Sequence, residues 1–270
     1  MLRFTGAAAS DRGRVRDHNE DSGYAGPGLL VVADGVGGAA AGEVASATAV
    51  YVLSALALQG AYADPLAALR SGVRLAQEQV ALGVAQDERR AGMATTLTAV
   101  LGDGRRFALA HLGDSRAYVW RGSALTRVTR DHTYVQDLVD DGRLTPAEAR
   151  EHPWRHVVVR SLGGDPAETG DLTWLDVRRG DRVLLCSDGL TDLVDEAAIA
   201  AVLAAHRSDD AAVTALVAAA NAAGGRDNVT CVLATVVPGV PASPEGVLVG
   251  AGRDPRLVVD AAAVHVRRSA

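Results

Sequence analysis

The chain has 270 residues, 48% of them hydrophobic, which is enough for a large core in one big domain or two small ones, and no internal repeat divides it. Its formal charge of -6 leaves no basic surplus for a nucleic-acid backbone, and all 27 basic residues are arginine. Without lysine, a Walker-type phosphate loop, a kinase nucleotide clamp and a Schiff base are excluded, so phosphate or carbonyl groups fall to arginine, metal or backbone. Cys186 and Cys231 each sit inside an apolar run and read as buried reduced thiols; neither is followed by the arginine a cysteine-phosphatase loop needs. No signal segment opens the chain and no apolar run approaches membrane length, which predicts a soluble, cytoplasmic monomer with no membrane span.

In chain order, residues 4 to 10 read as a strand, followed by a charged loop carrying Arg16, Glu20 and Asp21. A charge run of this kind is usually a solvated turn, but two adjacent acids point to opposite sides if extended, so one can meet a metal while the other holds a water. Next comes LLVVADGVGG, an apolar strand that ends on Asp34 and breaks into glycines at 35, 37 and 38. A carboxylate delivered this way is costly to bury alone and needs a cation, an arginine or water. Residues 41 to 58 and 65 to about 90 have helical spacing and a short joint, predicting an antiparallel helix pair. From Met93 a meander of short strands follows, with Asp114 at one strand end.

Residues 131 to 151 are predicted mostly helical, with Thr145 as cap and Pro146 at the first position, and 152 to 171 irregular. A polar excursion of this length inside a compact domain reads as a flap. The strand 181 to 186 then repeats the earlier pattern of apolar run, Asp188 and Gly189, before two helices near 196 to 206 and 209 to 223. Asp227 precedes a last strand that runs to Val237. Residues 238 to 246 read as a linker, and the tail from 238 to 270 as loosely packed or a small hairpin.

Asp34, Asp114, Asp188 and Asp227 thus stand at four separate strand ends, with Glu20 and Asp21 on a preceding loop. Each aspartate alone could be a turn former; together, with no basic cluster to neutralise them, they favour cations. Oxygen ligands without His or Cys suit Mg²⁺ or Mn²⁺, and two such ions about 4 Å apart would share a bridging carboxylate and activate a water. Arg16 would then offer its fork to phosphate oxygens. The histidines of the polar excursion, His132, His152 and His156, read as solvent-exposed, with substrate contact as the alternative. A hydrolase triad finds no His at suitable spacing from Ser115 or Ser187. Gly35 to Ala40 only loosely mimics a dinucleotide fingerprint, because no acid follows between Val44 and Asp64.

The chain resembles the bacterial metal-dependent, type 2C serine/threonine protein phosphatase family. The matching motifs are Arg16 with Asn19, Glu20 and Asp21; Asp34 to Gly38; Ala94, Thr95 and Thr96; Gly113 to Arg116; Ser187 to Leu190; and Gly225 to Asn228, in family order over about residues 5 to 237. The resemblance implies an α+β fold, a four-layer αββα sandwich of two mainly antiparallel sheets flanked by helix pairs, with a flap at about 131 to 171. It implies a catalytic domain at 1 to 237. It implies hydrolysis of phosphoserine and phosphothreonine in proteins by a water held between two Mn²⁺ or Mg²⁺ ions, without a phosphoenzyme, and a Ser/Thr protein kinase as partner. By the same resemblance Asp34 bridges the two ions, Gly35 offers its carbonyl, Asp188 and Asp227 bind the first ion, and Glu20 and Asp21 bind or orient water around the second. Asp114 and Asp192, with Asp188, match a weaker third-metal position. Val36 stands where animal relatives carry a proposed general acid, so a side-chain acid at that position is ruled out. Ala94 replaces the family's usual glycine.

Overall fold

The apolar run at residues 29 to 33 has no polar alternation because both of its faces are covered. Leu29, Val31 and Ala33 join one core, while Leu30 and Val32 join another on the opposite side of the strand. The structure is a computed structural model that describes residues 1–36, 41–58, 63–165, 167–240, 243 and 245–263. The chain forms β1 (Leu2–Asp11), β2 (Asp21–Ala25), β3 (Leu29–Val36), α1 (Gly42–Leu58), α2 (Pro65–Gln86), β4 (Ala94–Thr95), β5 (Leu97–Gly102), β6 (Phe107–Leu112), β7 (Arg116–Arg121) and β8 (Ala124–Arg127). It continues as α3 (Tyr134–Asp140), α4 (Pro146–Glu151), β9 (Asp171–Leu175), β10 (Arg182–Cys186), α5 (Asp188–Thr191), α6 (Glu196–Ala205), α7 (Asp209–Ala222), β11 (Val229–Pro238) and β12 (Val247–Gly250).

Two antiparallel sheets result. The first has the order β1-β11-β10-β7-β8, and the second β12-β2-β3-β5-β6-β9 with the short β4 paired to β3. Phe4, Val32, Val100, Leu109, Val183 and Val232 fill the space between the sheets. Leu29, Leu53, Leu69, Val73 and Leu97 seal α1 and α2 against the second sheet, and Leu184, Ile199, Leu203, Val213, Leu216 and Leu233 seal α6 and α7 against the first. Three cores between four layers make the αββα sandwich expected from the sequence.

Two elements differ from the sequence reading. The stretch expected to be helical over 131 to 151 is broken by Gly142 at φ 69° into two short helices, the second starting as expected at Thr145 and Pro146, with a capping box to Glu148. The tail, expected to be loose or a small hairpin, instead lays β12 antiparallel along the edge of β2, pairing Val247 with Ala25 and Gly250 with Ser22. Beyond it Val259 packs towards Gly83, and the Tyr51 hydroxyl donates to the Ala261 carbonyl at 2.8 Å. Gly37 and Gly38, part of the motif quoted above, lie outside the described residues, as do Ala39 and Ala40.

Candidate active site

Asp21 and Asp34 face each other across the β2–β3 pair, so two carboxylates meet at the same end of adjacent strands. Asp21 is wholly buried. Its Oδ2 accepts the Ser187 hydroxyl at 2.7 Å, while its Oδ1 is buried with no hydrogen-bond partner among the described residues. The backbone around Asp34 is locked by the two threonines that follow Ala94. Asp34 N–H donates to Thr96 Oγ1 at 2.9 Å, Thr96 N–H to the Asp34 carbonyl at 2.8 Å, and Thr95 Oγ1 to that same carbonyl at 2.9 Å. Gly35 is required for another reason: a Cβ there would come within 2.5 Å of the Gly42 backbone and 2.8 Å of the Glu20 carbonyl.

Glu20 is held by its backbone, its N–H donating to Asn228 Oδ1 at 2.8 Å and its carbonyl accepting the Ser46 hydroxyl at 2.5 Å. Asp114 follows β6, Asp188 opens α5, Asp192 closes it, and Asp227 lies in the loop before β11. The Asn228 side chain ties that loop to the Arg12 and His18 carbonyls, which draws Arg16 in. Arg16 Nη2 donates to Asp227 Oδ2 at 2.6 Å, and Asp227 Oδ1 accepts the Asn228 N–H at 2.8 Å. The structure therefore gathers Arg16, Glu20, Asp21, Asp34, Gly35, Asp114, Asp188, Asp192 and Asp227 at one end of the two sheets. These are all the candidate site residues of the sequence reading.

The electrostatics of this recess are those of uncompensated negative charge. Desolvation, followed by the charges of Asp21, Asp188, Asp114 and Asp227, pushes the Asp34 carboxyl well above the usual range. Desolvation and the charges of Asp114, Asp192 and Asp227 do the same to Asp188. Desolvation raises Asp21 to about 6 despite the Ser187 bond, and desolvation together with the Asp131 charge raises Asp114 to about 7. Asp192 and Glu20 are also raised, mainly by desolvation. A cavity of about 690 Å³ opens beside the recess, floored by Asp114, Asp188, Asp192 and Asp227 and walled by Gln136 and Arg150 of the flap. Protonation or a divalent cation can relieve such a cluster. An all-oxygen donor set with an orphaned buried Asp21 oxygen fits a hard cation.

The flap is pinned to this face at several points. Arg160 forks onto Glu168 at 2.7 and 2.9 Å and reaches Asp171 at 2.9 Å. Leu162 exchanges backbone hydrogen bonds with Thr95, each at 2.9 Å. His132, expected to be exposed, is buried: Gly113 N–H donates to its Nδ1 at 3.2 Å and its Nε2 lies 3.1 Å from Asp171. His156, read from the sequence as solvent-exposed with substrate contact as the alternative, also approaches the carboxylates. It is half exposed, yet its Nδ1 comes 3.3 Å from Asp192 Oδ2. No spacing signal in an irregular loop could have announced that approach.

The Protein phosphatase 2C family model matches residues 6–218. The chain belongs to the protein phosphatase 2C family. Within this family it is 47% identical over 237 residues to the serine/threonine protein phosphatase PstP of Mycobacterium tuberculosis, covering 88% of this chain and 45% of that protein. It thus spans about half the length of that relative. The serine/threonine phosphatase stp of Listeria welshimeri is 33% identical, with 83% of this chain and 92% of that one covered. Among solved structures of the family, the catalytic domain of PstP in complex with two manganese ions superposes with a TM-score of 0.82 at 44% identity, covering 88% of this chain and all of that one. The phosphatase MsPP of Mycobacterium smegmatis in complex with cacodylate gives 0.75 at 37% identity, covering 87% and 98%.

Proposed function

We propose that this chain is a metal-dependent protein-serine/threonine phosphatase that removes phosphate from phosphoserine and phosphothreonine in proteins and so reverses the work of a Ser/Thr kinase. The observation that carries the reading is the pairing of Asp21 and Asp34 at one strand end. A buried carboxylate oxygen there has no protein partner, and four further aspartates converge on the same recess. Such an arrangement is destabilising when charged, and a bound cation relieves it at neutral pH.

In this reading Asp34, with the Gly35 carbonyl, would hold the core ions, with Asp188 and Asp227 serving one and Glu20 and Asp21 binding or orienting water around the other. Asp114 and Asp192, with Asp188, would hold a third, weaker ion. Bound Mn²⁺ or Mg²⁺ would supply Lewis-acid polarisation of the phosphoryl group and a lowered water pKa. The chain's own contribution is positioning. Ser187 fixes the Asp21 carboxylate, Thr95 and Thr96 fix the Asp34 backbone, and Asn228 fixes the loop that carries Asp227 and Arg16. Arg16 uses one nitrogen on Asp227, which leaves the rest of its guanidinium to orient phosphate oxygens from the solvent side. Val36 has no ionisable group, so no side chain at that position protonates the leaving alkoxide. The catalytic unit is assigned to residues 1–237, with β12 (Val247–Gly250) as support for β2.

The test is phosphate release from a phosphothreonine peptide with Mn²⁺, with and without chelator, in wild type and Asp188→Asn. Release should vanish with chelator and fall on the order of 10²-fold or more in the variant. Equal release in every arm, or none from the Mn²⁺-loaded wild type, refutes the assignment. No helix among the described residues is long and apolar enough to cross a membrane.

A further inference from the structure

The flap brings one histidine to the carboxylates of α5. After α4 the chain turns at His152, where the Arg155 N–H donates to the His152 carbonyl at 3.1 Å and the Trp154 ring meets Tyr134 edge-on at 5.5 Å. It then runs back past the start of α3, with Tyr134 N–H donating to the Val157 carbonyl and Val159 N–H to the His132 carbonyl, both at 2.9 Å. His156 lies between the turn and this return, held from both sides. Its Nδ1 is 3.3 Å from Asp192 Oδ2 and 3.9 Å from Asp188 Oδ2, and one ligand atom from each of the three residues fits within a 4.8 Å spread.

We propose that His156 is a nitrogen ligand, donated by the flap, for a transition-metal ion held by Asp188 and Asp192. The proposal rests on the third-cation position described above and adds to it a ligand, a metal class and a link to the flap. Neither approach of His156 to these carboxylates is a hydrogen bond; the same distances would suit an ion pair with a protonated ring, which the ¹⁴N readout below separates from ligation. Metal–ligand bonds of about 2.0–2.2 Å place neighbouring ligand atoms roughly 3.0–3.5 Å apart, which the 3.3 Å from His156 to Asp192 matches and the 3.9 Å to Asp188 exceeds by a few tenths of an ångström. The two carboxylates supply the charge a divalent ion needs, and the charges of Arg116 and Arg155 oppose it at Asp192. An imidazole in the set changes the preference. Carboxylate and water alone suit Mg²⁺, whereas a nitrogen ligand favours Mn²⁺, Co²⁺ or Zn²⁺. Because His156 belongs to the flap and Asp188 to the catalytic face, an ion bound between them ties the flap down over the cavity.

Manganese titrations of the full chain, followed by pulsed electron paramagnetic resonance, test this directly. The other proposed ligands are all oxygen, so ¹⁴N coupling to bound Mn²⁺ reports imidazole. Wild type should show that coupling at the weaker site, and His156→Ala and His156→Gln should lose it. In both variants the weaker Mn²⁺ affinity should drop at least about tenfold, while Mg²⁺ binding changes little. Trp154 fluorescence checks that the flap is still folded. If the weaker ion is present but ¹⁴N coupling is absent from wild type or survives in His156→Ala, the proposal is overturned and the third position stands. If no weaker ion binds, or Asp192→Asn leaves it untouched, both are overturned.

Discussion

Gly189 has no room for a side chain, since a Cβ there would sit 1.9 Å from the Asn228 carbonyl oxygen. That contact packs the start of α5, with Asp188, against the loop that carries Asp227. Gly189→Ala should therefore cost about 1–3 kcal/mol in thermal unfolding and weaken Mn²⁺ binding as the two carboxylates are pushed apart. Unchanged stability with unchanged Mn²⁺ affinity would show that the loop can yield. At this scale the sequence was informative about backbone-borne ligands. An apolar run ending in Asp-Gly marked Asp34 and Asp188, because a strand that is buried on both faces leaves an acid at its end few places to go. It gave no sign that His156 approaches Asp192 or that the Ser187 hydroxyl holds Asp21. Those contacts join residues far apart in the chain, and no local pattern encodes them.

Among the elements, the flap depends on few anchors, and Arg160 is the chief one. It holds Glu168 and Asp171 together, and its fork pulls the Glu168 carboxyl down to about 2. Arg160→Ala should lower overall stability by only about 1 kcal/mol, since the pair is partly exposed. Amide exchange in residues 152 to 171 should nevertheless accelerate. KM for a phosphopeptide should rise while turnover of a small aryl phosphate is preserved, if the flap contacts the peptide rather than the reacting phosphate. A matched loss on both substrates would mean instead that the anchor supports the carboxylate recess. The long regular elements were readable from periodicity, as α1, α2, α6, α7 and the core strands all show. In the flap, the start of α4 at Thr145 and Pro146 was readable from its cap, and residues 152 to 171 only as polar and irregular. Beyond its helix caps, the flap takes its structure from contacts with β4, β9 and the Gly113 turn after β6.

For the molecule as a whole, the carboxylate recess sets the response to pH. The Asp114 carboxyl is raised to about 7 and Asp34 and Asp188 well above their usual range, against about 3.9 in the unfolded chain. Above pH 4 the folded chain therefore holds protons that the unfolded chain has lost, and these groups withdraw stability as pH rises through their folded values. Buried His111, lowered to about 4, and His132, also lowered, work in the opposite direction below about pH 6.5, so the clean window is pH 6.5 to 8. In chelator, the melting temperature should fall across that window by at least about 3 °C, and Mn²⁺ should raise it more at pH 8 than at pH 6.5. A flat or rising profile without metal would contradict the clustering of charge.

One consequence concerns where the protein can be cut. Gly250 of β12, at φ 67°, is wedged so closely against β2 that a Cβ would lie 2.1 Å from the Asp21 carbonyl oxygen. The strand that presents Asp21 thus has the last strand of the fold as its outer neighbour. A boundary drawn at residue 237, where the family motifs stop, would strip the outer splint from an active-site strand. For fragment design, swapping or fusion, the unit to keep whole is set by that splint rather than by the last recognisable motif.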